Sequence, residues 1–91
     1  MSGKTFTLEI LTPMAAVFKG TVSSVIAPGR IGYLGVLANH APLVTTLAPG
    51  KVTYRDPAGA AHLFRSAQGG LMEVRDNAVT ILADEITAEA G

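Results

Sequence analysis

The sequence predicts an all-β protein, a flattened antiparallel β-sandwich or barrel, and three observations carry that expectation. Glycine and proline interrupt the chain about every eight to twelve residues, at Pro13, Gly20, Pro28-Gly29, Gly32, Gly35, Pro42, Pro49-Gly50, Pro57, Gly59 and Gly69-Gly70, so no long helix survives. The segments between the breaks alternate apolar and polar residues with period two, the signature of a half-buried strand. The breaks carry turn chemistry: Pro49-Gly50, Asp56-Pro57-Ala58-Gly59 and Asp76-Asn77 combine side chains that bond their own backbone with glycines that take positive φ.

Taken in order, Phe6, Leu8 and Ile10 alternate with Thr5, Thr7 and Glu9 in a first strand. Val17 to Lys19 and Thr21 to Ala27 follow as two strands separated by Gly20, and a short extended piece covers Ile31 to Val36. Leu43 to Leu47, Lys51 to Arg55, Ala61 to Arg65, Leu71 to Arg75 and Ala78 to Ala83 complete a set of eight to ten strands. Residues 1–91 read as one domain without repeat, linker or low-complexity tract. Leu43-Val44-Thr45-Thr46-Leu47 and Ala78-Val79-Thr80-Ile81-Leu82-Ala83 are apolar or weakly polar on both faces, as in a strand covered on each side. Since the outer face of so small a sandwich should meet water, a second cover from another protein is expected; the competing reading is that Thr and Ala tolerate exposure.

Composition narrows the function classes. Seven Lys plus Arg balance seven Asp plus Glu, so no electrostatic footprint for nucleic acid exists, and 48% apolar against 15% charged residues argues against disorder. The absence of cysteine removes disulfides, thiolate catalysis and Cys-containing zinc sites. No apolar run reaches the ~18 residues of a membrane span, and Met1-Ser2-Gly3-Lys4 does not resemble a signal segment, so a soluble, untargeted chain is expected.

The candidate chemistry is sparse. His40 and His62 lack metal-ligand spacing, and neither a metal nor a cofactor is expected. His40 reads as a neutral ring bonded within a tight loop before Pro42 or as a surface contact; His62 shares a side with Phe64, as a core-edge or a solvated ring. Ser23, Ser24 and Ser66 have no local base, and the acids are dispersed among turns and outward positions. Gly29, Gly32 and Gly35 are not followed by the Lys-Ser or Lys-Thr of a nucleotide loop and read instead as a protruding turn centred on Tyr33. A biotinyl or lipoyl carrier domain has a similar size, but Lys51 after Pro49-Gly50 lacks the Met-Lys-Met or Asp-Lys-Ala surroundings of such domains. A small hydrolase would need a nucleophile and base in reach of each other, and no such pair is apparent.

The string Gly32-Tyr33-Leu34-Gly35-Val36-Leu37-Ala38-Asn39-His40-Ala41-Pro42-Leu43 resembles the epsilon subunit of F-type ATP synthases. The likeness continues through Thr45, Leu47, Pro49-Gly50, Gly69-Gly70-Leu71-Met72-Glu73-Val74 and Asn77 to Asp84, and includes Leu8 to Pro13 and Phe18-Lys19-Gly20. The resemblance implies a ten-stranded sandwich that is noncatalytic and acts as a central-stalk rotor component, binding the gamma subunit and the membrane c-ring. It marks His40, Thr45 and Lys51 as gamma-interface candidates and Ile31, Gly32, Tyr33 and Leu34 as c-ring candidates. Tyr33 stands where many bacterial relatives carry an acid, which implies an aromatic or hydrogen-bonded contact, and Ala38 where proline is frequent. Longer family members continue into a two-helix C-terminal domain that inhibits ATP hydrolysis; this sequence stops at Gly91, so those functions are expected to be absent. The implied location is the cytoplasmic face of the bacterial inner membrane, or alternatively the plastid thylakoid membrane.

Overall fold

Alternating apolar residues are buried together only when their strands share an interior face, and the computed structural model shows how this chain does so over the described residues, 4–89. Met1 to Gly3 of the N-terminal reading, and Ala90 and Gly91 of the tail, lie outside them. Ten strands form: β1 (Phe6–Leu11), β2 (Ala16–Val22), β3 (Ser24–Gly29), β4 (Gly32–Val36), β5 (Leu43–Leu47), β6 (Gly50–Arg55), β7 (Ala61–Ser66), β8 (Gly70–Arg75), β9 (Ala78–Ala83) and β10 (Ile86–Glu89). They make two five-stranded layers, β10-β7-β6-β3-β4 and β5-β8-β9-β1-β2, which join where Gly29 pairs with Leu47. Every pairing is antiparallel except β1 with β9, which runs parallel, Leu8 beside Val79 and Ile10 beside Ile81.

The core follows the period-two pattern. Leu8, Ile10, Met72, Val79 and Ile81 from one layer meet Val25, Ala27, Val36, Val52 and Tyr54 from the other. Phe18 of β2 closes one side by tilting against Tyr54, ring centroids 4.7 Å apart, while Tyr54 stacks on Phe64 at 5.7 Å. Ser66 is the buried polar residue among those described, and its hydroxyl donates to the Gly69 carbonyl at 2.7 Å. That bond removes the cost of burying a hydroxyl.

Three element boundaries differ from the sequence expectation. Gly20 does not break a strand: it pairs with Leu8 inside β2, and the interruption falls at Ser23, whose N–H donates to the Arg55 carbonyl at 2.8 Å. The chain there passes from pairing with β1 to pairing with β6. Pro28-Gly29 also lies within a strand. Proline has no N–H to offer β6, so β3 leaves that partner after Ile26, and the Pro28 carbonyl accepts from Ala48 N at 2.8 Å. Finally, Ile86 to Glu89 pairs with β7 as a tenth strand, which local patterning did not reveal.

The direction of the strands sorts the turns to two ends. One end gathers β1–β2 (Thr12 to Ala15), β3–β4 (Arg30, Ile31), β5–β6, β7–β8 and β9–β10; the other gathers β4–β5 (Leu37 to Pro42), β6–β7 (Asp56 to Ala60) and β8–β9 (Asp76, Asn77). At the first end, Gly69 has φ 77°, and a Cβ there would collide with the Leu47 carbonyl; one on Gly70 would collide with the Leu82 carbonyl. The paired glycines thus let three strands approach at one corner.

Candidate functional site

β4 and β5 are edge strands of opposite layers, so a groove opens between them. It has a volume of about 670 Å³ and runs from the β3–β4 turn, past Tyr33 and Leu34, to Leu43, Thr45 and His40. The structure therefore brings His40, Thr45 and all four of Ile31, Gly32, Tyr33 and Leu34 to one groove. Within it their environments differ. Ile31 at the turn tip is fully exposed, Gly32 holds φ 143°, Tyr33 is exposed, and Leu34 packs partly on the core. Of the three spaced glycines only Gly32 needs positive φ; Gly29 is required because a Cβ would meet the Gly32 carbonyl at 2.7 Å.

His40 is half-buried in the β4–β5 loop with Nδ1 2.7 Å from the Ala41 carbonyl, so Nδ1 carries the proton and donates. The loop is clasped from outside. Asn39 takes φ 63° and donates its N–H to the Asn77 Oδ1 at 2.7 Å, and Asn77 Nδ2 donates to the Thr5 carbonyl at 3.0 Å. Asn77 itself follows Asp76 in a turn with φ 57° and 50°, the paired positive values of a two-residue hairpin turn. One side chain thus ties the His40 loop, the β8–β9 turn and the chain preceding β1. Sequence reasoning assigned Asn77 to a turn but offered no signal for this clasp.

Thr45 is half-buried beside Met72, with its hydroxyl donating to the Thr46 carbonyl at 3.3 Å. Lys51 is not in the groove: it stands exposed on the other layer, across from Arg65 in the β6–β7 ladder. His62 is a largely solvated ring, exposed yet stacked on the buried Tyr54 at 5.0 Å, with Nε2 3.0 Å from Asp56 Oδ2. Asp56 also accepts the N–H groups of Ala58 and Ala60. The His62 bond first, then the Ala60 N–H, holds the Asp56 carboxyl below the usual aspartate value. Burial, and secondarily Asp56, pushes the Tyr54 hydroxyl up.

A second feature adjoins the groove. On the water-facing side of β5-β8-β9, Val44 is 64% exposed and Leu82 45%, and Leu71 pairs directly with Leu82. These are the two-faced stretches of the sequence reading, extended by Leu71, whose outward slot in the alternation of β8 was the available signal. Among the described residues no group of three or more His, Asp or Glu is placed to hold a metal ion. A two-layer body with an open edge groove and exposed apolar side chains on one outer face defines a β-sandwich domain.

The particular family emerges from comparison. The family described as "ATP synthase, Delta/Epsilon chain, beta-sandwich domain" matches residues 5–89. This chain belongs to that family. It is 49% identical over 84 residues to the ATP synthase epsilon chain of Pelotomaculum thermopropionicum, covering 92% of this chain and 61% of that one. Against the epsilon chain of Syntrophomonas wolfei it is 40% identical over 91 residues, covering all of this chain and 64% of the relative. The chain therefore spans less than two thirds of the length of these relatives. A chain in the Euglena gracilis mitochondrial ATP synthase structure, described as OSCP/F1/c-ring in rotational state 1, shares the fold with a TM-score of 0.88 at 24% identity, over 97% of this chain and 56% of that one. A chain in the central stalk/c-ring structure from Tetrahymena thermophila shares it at 0.79 and 17% identity, over 96% of this chain and 69% of that one.

Proposed function

We propose that the sandwich is a noncatalytic central-stalk subunit of a proton-transporting F-type ATP synthase, joining the gamma subunit to the membrane c-ring so that ring rotation becomes torque on gamma. The observation that carries this reading is the exposure of Val44, Leu71 and Leu82, interleaved with Thr46, Glu73 and Thr80, on the water-facing side of a sheet whose other side already fills the core. Membership in the family supports the identity of the partners, as do the epsilon-chain names of the relatives and the assemblies in which the solved neighbours lie. In this reading gamma covers that face and the adjoining edge with His40 and Thr45, and reaches Lys51 around the β5–β6 turn. Ile31, Gly32, Tyr33 and Leu34 meet the c-ring. The described residues act as one unit, peripheral to the membrane on its cytoplasmic side in a bacterial cell.

The mechanical demand is a stiff body with two contacts. Two layers sharing one interdigitated core supply stiffness, because an interior at crystal-like density transmits strain rather than absorbing it. A specific contact on each side needs about 800 Å² per partner. The test is charge insertion on this outer face. Val44→Lys with Leu82→Lys should leave the circular dichroism and melting curve of the chain nearly unchanged, since both side chains are exposed and Val44 pairs with the oppositely charged Glu73, yet weaken gamma binding at least about tenfold. Undiminished gamma binding by this double variant would overturn the assignment of the face.

A further inference from the structure

The turn between β8 and β9 is built from Asp76 and Asn77, both left-handed at φ 50° and 57°. Such a hairpin turn is made most easily with glycine as its second residue, because a side chain at positive φ crowds the backbone. Asn77 stands there instead, and its amide is occupied on both sides. Oδ1 accepts the Asn39 N–H at 2.7 Å, and Nδ2 donates to the Thr5 carbonyl at 3.0 Å. The Thr5 bond joins segments that the parallel β1–β9 ladder already holds together. The Asn39 bond crosses to a segment outside any ladder. β4 ends at Val36 in one layer and β5 begins at Leu43 in the other, and Leu37 to Pro42 pass between them.

We propose that Asn77 is a positioning residue for gamma: by holding Asn39 it presets the β4–β5 loop, and with it His40, in the conformation against which gamma docks. The inference rests on the reading above, in which the His40 edge belongs to the gamma contact, and adds a residue that need not touch gamma at all. The loop's other contacts are slight among the described residues. Leu37 is 65% exposed, Ala38 packs partly on the core, and the His40 ring bonds to Ala41 within the loop itself. Asn39, next to His40 in the chain, takes φ 63°, a conformation that costs a residue with a side chain, and the Asn77 bond opposes that cost. Fixing the backbone of Asn39 fixes the direction in which the chain enters His40. Without the bond, gamma would have to order the loop as it binds, and its apparent affinity would fall with the fraction of time the loop spends ready. One hydrogen bond to the backbone is worth about a factor of ten in such a population.

Two substitutions separate this role from support of the fold. Asn77→Gly keeps the turn and removes both bonds; Asn77→Asp keeps an oxygen for the Asn39 N–H and removes the donor to Thr5. Gamma affinity is measured by titration at a temperature where circular dichroism shows each chain folded, alongside hydrogen exchange of the Asn39 amide in the free chain. Asn77→Gly should open that amide to exchange and weaken gamma binding about tenfold, while Asn77→Asp should keep it protected and bind within about threefold of the parent, whatever the two melting temperatures. The role is overturned if Asn77→Gly leaves the Asn39 amide protected, or if either variant binds like the parent with that amide open. A protected amide with binding weakened tenfold overturns it equally. Each of these results leaves the wider reading standing, which fails on a different one: a folded parent chain that does not bind gamma.

Discussion

At Asn77 one side chain serves three segments, and the two parts of its contribution can be separated. Asn77→Gly keeps the positive φ but loses the bonds to Asn39 N–H and the Thr5 carbonyl, which should cost about 1–2 kcal/mol in urea unfolding. Asn77→Ala loses the same bonds and also strains a left-handed residue, so it should cost about 1 kcal/mol more. Equal stabilities of the two variants would mean that the turn conformation contributes nothing. Asp56 offers a second test at this scale. Its folded pKa lies below the unfolded value near 3.8, so the stability it adds is complete above that value and is lost as pH falls through the folded pKa. Melting temperatures measured from pH 5 to pH 2 should fall less steeply for Asp56→Asn than for the parent chain. Identical slopes would show that the carboxylate's bonds to His62, Ala60 and Ala58 persist equally in the unfolded chain.

Strands were legible to the extent that neighbouring residues encode them. β1, β6, β8 and β9 follow from alternation because one face of each is core, Leu8 and Ile10, Val52 and Tyr54, Met72 and Val74, Val79 and Ile81. The β2–β3 boundary did not, since Gly20 signals a break locally while the ladder with Leu8 carries the strand through it. β10 was invisible because Ile86-Thr87-Ala88-Glu89 has one large apolar residue and becomes a strand only by pairing with β7. The site shows the same division. Tyr33 was legible from the spaced glycines around it and His40 from its loop before Pro42, and Thr45 was reached through resemblance, while their gathering on one groove depends on β4 and β5 being edges of opposite layers. At this scale Gly70→Ala is the informative change. Its methyl would strike the Leu82 backbone, so β8 and β9 must separate, and a loss of about 1–3 kcal/mol or more is expected in thermal unfolding. A variant as stable as the parent would show that this corner is loosely packed.

The described residues measure 37 × 28 × 24 Å and carry, around a core held by two layers, an edge groove, an outer face on β5-β8-β9 where Val44, Leu71 and Leu82 are exposed, and an end that gathers five turns. The proposed role requires these surfaces to work while the interior stays fixed. The central claim is tested most directly by calorimetric titration of the purified chain with gamma at several temperatures. The account predicts saturable one-to-one binding with a negative heat-capacity change, the mark of apolar surface leaving water. Titration curves that never saturate, in a chain shown to be folded, would contradict it.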